Sequence, residues 1–534
     1  MATKTPPRVA PDAAARVIDA WLHTAEPHMA GRPALAARGP HGWTELTYGE
    51  LSRAADRVAG WLAGQSVGAG ARVAISGEAG AEWVAALFGV WRLGAVAVPI
   101  DAGLGPHEVG PMVGRCGFSA AVVSGGGRRW AAAPDVATLD FAAIADLADR
   151  GHPRDTRRRS GDPALIVWTS GTSGAPKGVT LSVAGIAYVV EHGRLAHALD
   201  GDDRWLSVLP LNHMLELSCG LLPALASGAT FAFAGTTDPA QLASTIAERH
   251  ITRMTVVPRI LGGLLGGFEA AGSGGGGLTL HCGGAAVDAA VVGRLDQLGV
   301  NVCTGYGLTE TSPTVAMNTP AARRDGSVGR PLPGTEVRIA DGEGDGEILV
   351  RSPGLMLGYW GDDTLTSSVI DAAGWFRTGD LGRLDDDGFL YVTGRSKSLI
   401  VLASGKKVQP EEVEAALAPS AVLAEACVVG WVSPDSPADG EQVGAVVVAS
   451  PDLRSQCRGR EALWRAATAE VARLTAGLAR FKRPGVVVVV DELPRTPKRS
   501  VRRDEVVRLL DRMVRESADR CCRPTTRPST GGVP

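Results

Sequence analysis

The feature that most constrains the fold is the stretch at residues 165–182, LIVWTSGTSGAPKGVTLS, where an apolar run leads into a glycine- and hydroxyl-rich loop. The apolar residues 165–168 predict a buried strand. Glycines let backbone N–H groups turn toward one point, hydroxyls add donors, and Lys177 adds a positive charge. This set of donors suits a polyphosphate, and an ordinary flexible polar loop is the alternative interpretation.

The spacing of this loop differs from that of a Walker A loop, because G-x-x-x-x-G-K-[ST] is absent. Residues 178–181, which follow Lys177, predict a second strand rather than a phosphate-capping helix. The run T-S-G-T-S-G-x-P-K-G is typical of the adenylate-forming superfamily, and the chain resembles an acyl-CoA synthetase. This resemblance assigns nucleotide-holding positions to Thr169, Ser170, Gly171, Thr172, Ser173, Gly174 and Lys177.

Length, charge and cysteine pattern narrow the class of protein. A chain of 534 residues predicts two or more domains. Basic and acidic residues, 54 and 57, leave a formal charge of −3, so no broad attraction to nucleic acid is expected. No apolar run suits a transmembrane segment, and the N-terminus lacks the apolar region of a secretory signal. Because the eight cysteines contain no C-x-x-C pair, we expect a cytoplasmic protein without structural zinc or a disulfide framework.

Alternating strand and helix patterns near the N-terminus predict a parallel sheet. Thr47 and Glu50 have the spacing of a capping box, which predicts that a helix begins there. Strands are predicted at 73–75 and 95–100, around a helix over 82–91. Residues 1–40 are expected to be helical and exposed. Together these patterns indicate an α/β fold.

A second motif, T-G-Y-G-L-T-E, ends at Glu310. The ring of Tyr306, beside Gly307, can stack on adenine. The Thr309 hydroxyl and the Glu310 carboxylate can hold a phosphate and its Mg²⁺, a hard cation that binds oxygen ligands. The alternative is a core tyrosine and a glutamate that caps a turn.

Further positions are assigned by the resemblance. It implies that Asp380 accepts hydrogen bonds from the ribose hydroxyls and that Arg395 reaches ribose or phosphate. Gly283 is implied at the nucleotide, in one of the segments that build the acid pocket (213–222, 283–286 and 304–305). His213 matches the position that lines this pocket and gates the route of the thiol, although a lone histidine is more often structural.

The resemblance also implies the domain organisation. We predict an adenylation domain at 1–394 with layered sheets, a hinge at 395–397, a smaller mobile α+β domain at 398–515, and a disordered tail at 516–534. Lys397 matches the pivot between two arrangements of the small domain, one for making the adenylate and one for acyl transfer. A simple polar linker is compatible with the same residues.

The chain departs from the family near its C-terminus. The family usually reads P-[KR]-T-x-x-G-K-x-x-R, whereas residues 494–503 read P-R-T-P-K-R-S-V-R-R. Ser500 therefore occupies the place of the catalytic lysine, which bridges the carboxylate and the α-phosphate. Lys498 lies two residues earlier. Three interpretations follow: Lys498 substitutes, adenylation is slow, or the reaction has changed.

The implied activity is ATP-dependent activation of a small-molecule carboxylic acid as acyl-AMP, with Mg²⁺. A thiol then displaces AMP, either that of CoA or that of phosphopantetheine on an acyl carrier protein. One alternative keeps adenylation with a changed acid and acceptor, such as nitrite activated for attack by an aryl amine. Another is a non-catalytic nucleotide-binding relative, against which the intact Thr309, Glu310, Asp380 and Arg395 argue.

Overall fold

The computed structural model describes most of the chain, and the statements below concern these residues only. They are residues 17, 20–23, 26–39, 41–125, 136–149, 159–169, 176–272, 274–285, 287–340, 345–395, 398–402, 407–433, 441–495 and 501–518. Several predicted site residues lie outside them: Ser170, Gly171, Thr172, Ser173, Gly174, Lys397, Lys498 and Ser500.

The strands are numbered along the chain. They are β1 Pro33–Gly39, β2 Gly42–Thr47, β3 Arg72–Ser76, β4 Val96–Pro99, β5 Ala120–Val123, β6 Ala137–Asp140, β7 Pro163–Thr169, β8 Lys177–Ser182, β9 Arg204–Ser207, β10 Thr230–Phe233, β11 Arg253–Val256, β12 Thr279–Cys282, β13 Asn301–Gly307, β14 Thr314–Met317, β15 Arg330–Pro331, β16 Glu336–Ile339, β17 Gly346–Arg351, β18 Gly358–Tyr359, β19 Phe376–Leu384, β20 Leu390–Arg395, β21 Ile400–Val401, β22 Lys407–Val408, β23 Leu423–Val432, β24 Glu441–Ala449 and β25 Val486–Val490.

The α-helices are numbered in the same way. They are α1 Tyr48–Gly64, α2 Ala81–Arg92, α3 Pro106–Cys116, α4 Val183–Ala196, α5 Met214–Glu216, α6 Leu222–Ala226, α7 Pro239–Glu248, α8 Pro258–Ala271, α9 Ala289–Gln297, α10 Asp363–Val369, α11 Pro410–Leu417, α12 Pro451–Gln456, α13 Arg460–Leu474 and α14 Arg503–Ala518. A π-helical turn, Leu217–Leu221, joins α5 to α6.

The chain forms two compact units. The first comprises Met1–Arg338, Leu349–Thr378 and Leu384–Tyr391, and the second takes the remaining segments. The predicted hinge at 395–397 stays a prediction. One correction applies to the predicted tail: residues 516–518 are helical, because α14 continues to Ala518.

Two large sheets build the first unit. One has the strand order β15-β14-β13-β12-β11-β9-β10-β1-β2, and the other has the order β18-β8-β7-β4-β3-β5-β6. In the second sheet, β3 pairs in parallel with both β4 and β5. Helix α2, between β3 and β4, is buried from Trp83 to Arg92. The predicted parallel α/β arrangement is therefore confirmed.

The start of α1 confirms the predicted capping box. Thr47 N–H donates to Glu50 Oε2 at 2.8 Å, while the Thr47 hydroxyl accepts from Glu50 N–H. The prediction of a helical surface at 1–40 is wrong in its last part, where β1 is a strand with buried Ala34, Leu35 and Ala36. Pairing with β10 on one side and β2 on the other overrides the helical propensity of these alanines.

The second unit contains the sheet β23-β24-β25, in which β24 is antiparallel to β23 and parallel to β25. The guanidinium of Arg503, which begins α14, donates to Glu414 at 2.8 Å. Just before it, Arg495 and Val501 form an antiparallel bridge. The two ends of the segment that carries Lys498 and Ser500 are thus held together.

Candidate active site

The strands β7 and β8 fix both ends of the glycine-rich loop. They are antiparallel, and Thr169 at the end of β7 pairs with Lys177 at the start of β8. The apolar residues of β7 are buried, with Leu165 and Ile166 at 0% exposure. Both strands predicted around this loop are confirmed, and the loop therefore leaves and re-enters the sheet at one edge.

Tyr359 connects this loop to the second motif. Its strand, β18, pairs with β8, with Tyr359 opposite Val179. The Lys177 ammonium lies 5.1 Å from the centre of the Tyr359 ring, a cation–π distance. The Tyr359 hydroxyl donates to Glu310 Oε1 at 3.0 Å. The structure thus brings Lys177 and Glu310, predicted from separate motifs, onto the same tyrosine.

Burial and the adjacent Glu310 carboxylate raise the pKa of Tyr359 well above its usual value. The phenol is only 7% exposed and stays protonated, so it acts as a hydrogen-bond donor to Glu310. Tyr359 is not among the residues predicted from the sequence. Its only local signal is an aromatic after a glycine, which gains meaning once β18 is seen to pair with β8.

The second motif forms a strand end followed by a tight turn. Strand β13 ends at Gly307, and Thr309–Thr311 is a 3-10 turn. The Thr311 hydroxyl donates to Pro313 O at 2.7 Å, and Met356 N–H donates to Glu310 O at 2.8 Å. These contacts hold the backbone of Glu310 while Tyr306, Thr309 and the Glu310 side chain stay half-buried.

Gly307 meets a steric requirement of this turn. A Cβ at Gly307 would lie 1.6 Å from Pro313 O, so any side chain there would push the turn away. This close approach explains why residue 307 is a glycine, whether or not a nucleotide binds beside it. Its predicted contact with the nucleotide stays a prediction.

The three predicted segments of the acid pocket adjoin one another. A Cβ at Gly283 would lie 3.3 Å from Leu215 Cδ1 and 3.7 Å from Gly305 O. His213, two residues before Leu215, is half-buried and occupies the N-cap of α5. Its backbone N–H donates to Pro210 O at 3.1 Å. His213 therefore lies at the start of the segment that packs over Gly283.

Asp380 and Arg395 form an ion pair within the second unit. Asp380, in β19, is 5% exposed, and Arg395 ends β20. The Arg395 Nε atom lies 3.2 Å from Asp380 Oδ1, and 68% of the Arg395 side chain is exposed. Asp380, predicted to hold the ribose, and Arg395, predicted to reach ribose or phosphate, are thus in mutual contact.

A buried carboxyl lies one turn beyond His213. Glu216 is fully buried, and burial raises its pKa to about 8, an effect partly offset by the Ser207 hydroxyl. The unfolded chain releases this proton near pH 4.5, whereas the folded chain keeps it to about pH 8. The contribution of Glu216 to the free energy of unfolding is therefore fully present below pH 4.5. It is lost as the pH rises from there to about 8, by on the order of 4 kcal/mol.

We expect Glu216→Gln to remove this loss. The free energy of unfolding in urea, measured at pH 5 and pH 8, should differ less between the two pH values in the variant than in the wild type, because glutamine does not titrate. The exposed Glu336→Gln serves as the matched control, since its carboxylate pairs with Arg351 at the surface. An equal pH dependence in wild type and Glu216→Gln would contradict the assignment.

The donor set at Glu310 fits a magnesium ion that is shared with phosphates. No group of three or more His, Cys, Asp or Glu side chains suited to hold a metal occurs in the described part of the chain. Magnesium is commonly held by one or two carboxylates together with substrate phosphates. Glu310 provides such a single carboxylate, and it contacts the same tyrosine whose ring the Lys177 ammonium contacts. Separately, the described helices include none with the length and apolar character needed to cross a membrane.

Two family models match the chain. "AMP-binding enzyme" covers residues 22–360, and "AMP-binding enzyme C-terminal domain" covers residues 397–519. The indoleacetate–CoA ligase of Aromatoleum aromaticum is 33% identical over 88% of this chain and 94% of its own length. The fatty acid–[acyl-carrier-protein] ligase MmaC of Mycobacterium marinum is 30% identical over 88% of this chain and 93% of its own.

Solved structures agree with these matches. The o-succinylbenzoate coenzyme A synthetase of Bacillus subtilis, in complex with ATP and a magnesium ion, superposes with a TM-score of 0.78 at 26% identity, covering 91% of this chain and 98% of that one. This likeness confirms the mixed α/β fold with a large and a smaller part. It also supports the predicted cofactors, because the Bacillus subtilis enzyme is solved with ATP and Mg²⁺ bound. The chain belongs to the AMP-binding enzyme family, as an AMP-forming acid–thiol ligase of the acyl-CoA synthetase type.

Proposed function

We propose that this ligase activates a small-molecule carboxylic acid at the site around Lys177, Tyr359 and Glu310. The single observation that carries the assignment is Tyr359, which contacts the Lys177 ammonium with its ring and Glu310 with its hydroxyl. A lysine and a carboxylate held at one tyrosine suit a triphosphate and its Mg²⁺. Glu310 would hold the metal, which neutralises phosphate charge, and Lys177 would hold the phosphates together with the loop hydroxyls.

The remaining roles follow the family pattern. Tyr306 would stack on adenine, with Gly307 and Thr309 beside the nucleotide. Asp380 would bind the ribose, and Arg395 would bind the ribose or a phosphate. His213 would line the acid pocket at the segment that packs over Gly283. A carboxylate oxygen of the acid attacks the α-phosphorus of ATP, the bond to the bridging oxygen breaks, and pyrophosphate leaves. A thiolate then attacks the acyl carbon of acyl-AMP and expels AMP.

We propose CoA as the acceptor and a cytoplasmic location for the protein. CoA is supported by the 33% identical indoleacetate–CoA ligase. A phosphopantetheine thiol on an acyl carrier protein is the second candidate, because MmaC is described as a fatty acid–[acyl-carrier-protein] ligase. The location rests on the cysteine pattern noted above.

The proposal is tested by ATP–pyrophosphate exchange over a panel of aryl, fatty and small acids plus nitrite, followed by thioester formation with CoA or a carrier protein. We expect exchange with at least one carboxylic acid and a CoA thioester from the same acid. Exchange with nitrite alone would instead support the changed reaction. Thioester formation from synthetic acyl-AMP without any exchange would locate the defect in the first half-reaction, and inactivity in both assays would contradict a ligase.

Tyr359→Phe tests whether this tyrosine positions Glu310. The variant keeps the ring beneath Lys177 but loses the hydrogen bond to Glu310, and such outer partners of metal ligands typically contribute about 10- to 100-fold to metal affinity. We expect the Mg²⁺ concentration at half-maximal exchange to rise by about tenfold or more. Tyr391→Phe is the matched control, because its hydroxyl donates to Asp385, outside the proposed site. An unchanged Mg²⁺ requirement in Tyr359→Phe would contradict the positioning role.

A further inference from the structure

Trp360, the residue directly after Tyr359, is bound through both its backbone and its side chain. Its backbone N–H donates to Gly178 O at 2.7 Å, beside the pairing of β18 with β8. Its indole N–H donates to Arg115 O at 3.1 Å, at the C-terminal end of α3. Trp360 therefore joins β18 to β8 and to α3 at the edge of the proposed site.

Trp360 also packs directly against the strand that carries Lys177. A Cβ at Gly178, the next residue of β8, would lie 3.2 Å from Trp360 Cβ and 3.4 Å from Trp168 Cη2. A side chain at position 178 would therefore require one of these tryptophans to shift. The glycine allows Trp360 to lie against the backbone beside Lys177.

The C-terminal end of α3 holds the ring of Trp360. The last carbonyls of a helix have no partner within the helix, and here two of them accept side-chain donors. Arg115 O accepts the indole N–H, and Cys116 O accepts from Arg72 Nε at 2.8 Å. The Arg72 guanidinium carbon lies 5.7 Å from the centre of the Trp360 ring, a cation–π distance. The ring is thus held at its nitrogen and at its face.

Arg115 contacts the neighbours of both members of the cation–π pair. Its Nη1 donates to Pro176 O at 3.3 Å, and Pro176 directly precedes Lys177. Its own carbonyl accepts from Trp360, which directly follows Tyr359. Because the Lys177 ammonium lies 5.1 Å from the centre of the Tyr359 ring, Arg115 binds beside each partner of this contact.

Resting on the proposed function, we infer that Trp360 and Arg115 are positioning residues that hold the Lys177 ammonium at the Tyr359 ring, and that they thereby raise the affinity of the site for a triphosphate. Both act through Lys177 rather than on the nucleotide. A lysine side chain is flexible, and ordering it when a phosphate binds costs free energy. Fixing the backbone on both sides of the contact lowers this cost before the nucleotide arrives.

The experiment measures the Kd of the full chain for MgATP and for AMP, which lacks the two outer phosphates, by titration calorimetry. Trp360→Phe keeps a ring but removes the indole N–H. We expect the Kd for MgATP to rise about three- to tenfold, as for one lost hydrogen bond, and the Kd for AMP to change less than about twofold. Trp464→Phe is the matched control, because its indole N–H donates to Val487 O at 2.9 Å in the second unit.

Arg115→Met removes the donor to Pro176 O and leaves the carbonyl that accepts from Trp360. We expect a rise of about two- to threefold in the Kd for MgATP, since this hydrogen bond is longer. Arg483→Met is the matched control, because its guanidinium donates to Leu478 O at 3.0 Å and to Ala476 O at 2.7 Å in the second unit.

A double-mutant cycle tests whether these residues act through the ammonium. In a chain that carries Lys177→Met, adding Trp360→Phe or Arg115→Met should change the Kd for MgATP by less than about twofold, because the group that they position is gone. A general structural role, or a direct effect of the Arg115 charge on the triphosphate, would persist in this background.

Three results would overturn the inference: wild-type affinity for MgATP in Trp360→Phe, equal weakening of MgATP and AMP, or an undiminished effect in the Lys177→Met background. If Trp360→Phe fails to fold, Arg115→Met, at an exposed residue, decides by the same criteria. A wild-type chain that binds neither nucleotide overturns the proposed function and this inference together. Binding of MgATP that neither variant weakens overturns the inference alone.

Discussion

Replacing Glu310 with glutamine is expected to slow acyl-AMP formation by about 10²-fold or more, a typical loss when one preorganised electrostatic group is removed. The amide can still accept the hydrogen bond from Tyr359, whose hydroxyl lies 3.0 Å from Glu310 Oε1. The shape of the site is therefore retained, and the change is the loss of one negative charge at the proposed magnesium position. Binding of Mg²⁺ with the triphosphate should weaken most.

The measurement is the rate of ATP–pyrophosphate exchange as a function of Mg²⁺ concentration. Glu336→Gln is the matched control, because it makes the same substitution at a surface carboxylate that pairs with Arg351 in the same unit. The control should exchange at the wild-type rate. A Glu310→Gln enzyme with wild-type exchange at limiting Mg²⁺ would show that Glu310 does not hold the metal.

Ser500→Lys is expected to accelerate acyl-AMP formation by about 10²- to 10³-fold, by restoring a donor that the family uses between the carboxylate and the α-phosphate. The segment that carries residue 500 starts and ends at fixed points, since Arg495 and Val501 are bridged and Arg502 N–H donates to Pro494 O at 2.9 Å. A lysine at 500 directly precedes the bridged Val501.

This second prediction is measured by pre-steady-state formation of acyl-AMP at saturating acid and MgATP. Arg499→Lys is the matched control, because it places an ammonium one residue earlier without changing the charge. A Ser500→Lys rate equal to the wild-type rate would mean that the reaction no longer needs this lysine. A Lys498→Ala enzyme with an unchanged rate would exclude substitution by Lys498, whereas a large loss would support it.

Much of the strand framework at the site could be predicted from sequence. Residues 165–168 form an apolar run and residues 178–181 follow the glycine- and hydroxyl-rich loop, and they form β7 and β8 with Thr169 and Lys177 paired. The capping box at Thr47 is likewise a local interaction among four residues. Interactions of this kind can be predicted from sequence because the residues that form them are close together along the chain.

Contacts distant in sequence could not be predicted. Tyr359 meets Lys177 and Glu310 only through the pairing of β18 with β8, and no periodicity marks a two-residue strand. Residues 33–39 belong to the range 1–40 that is predicted to be helical, yet they form a strand because they pair with a strand on each side. The rings of His197, Trp205 and His281 pack together from three different parts of the chain, so none of them is distinguished in its own segment.

The contact between Asp380 and Arg395 has a consequence for nucleotide exchange. With Asp380 as the proposed acceptor for the ribose hydroxyls, an incoming nucleotide competes with the guanidinium for one carboxylate. Competition of this kind is reciprocal: whatever frees Arg395 tightens nucleotide binding, and nucleotide binding frees Arg395 by the same free energy. Nucleotide binding would then weaken this ion pair, at the residue where the predicted hinge begins.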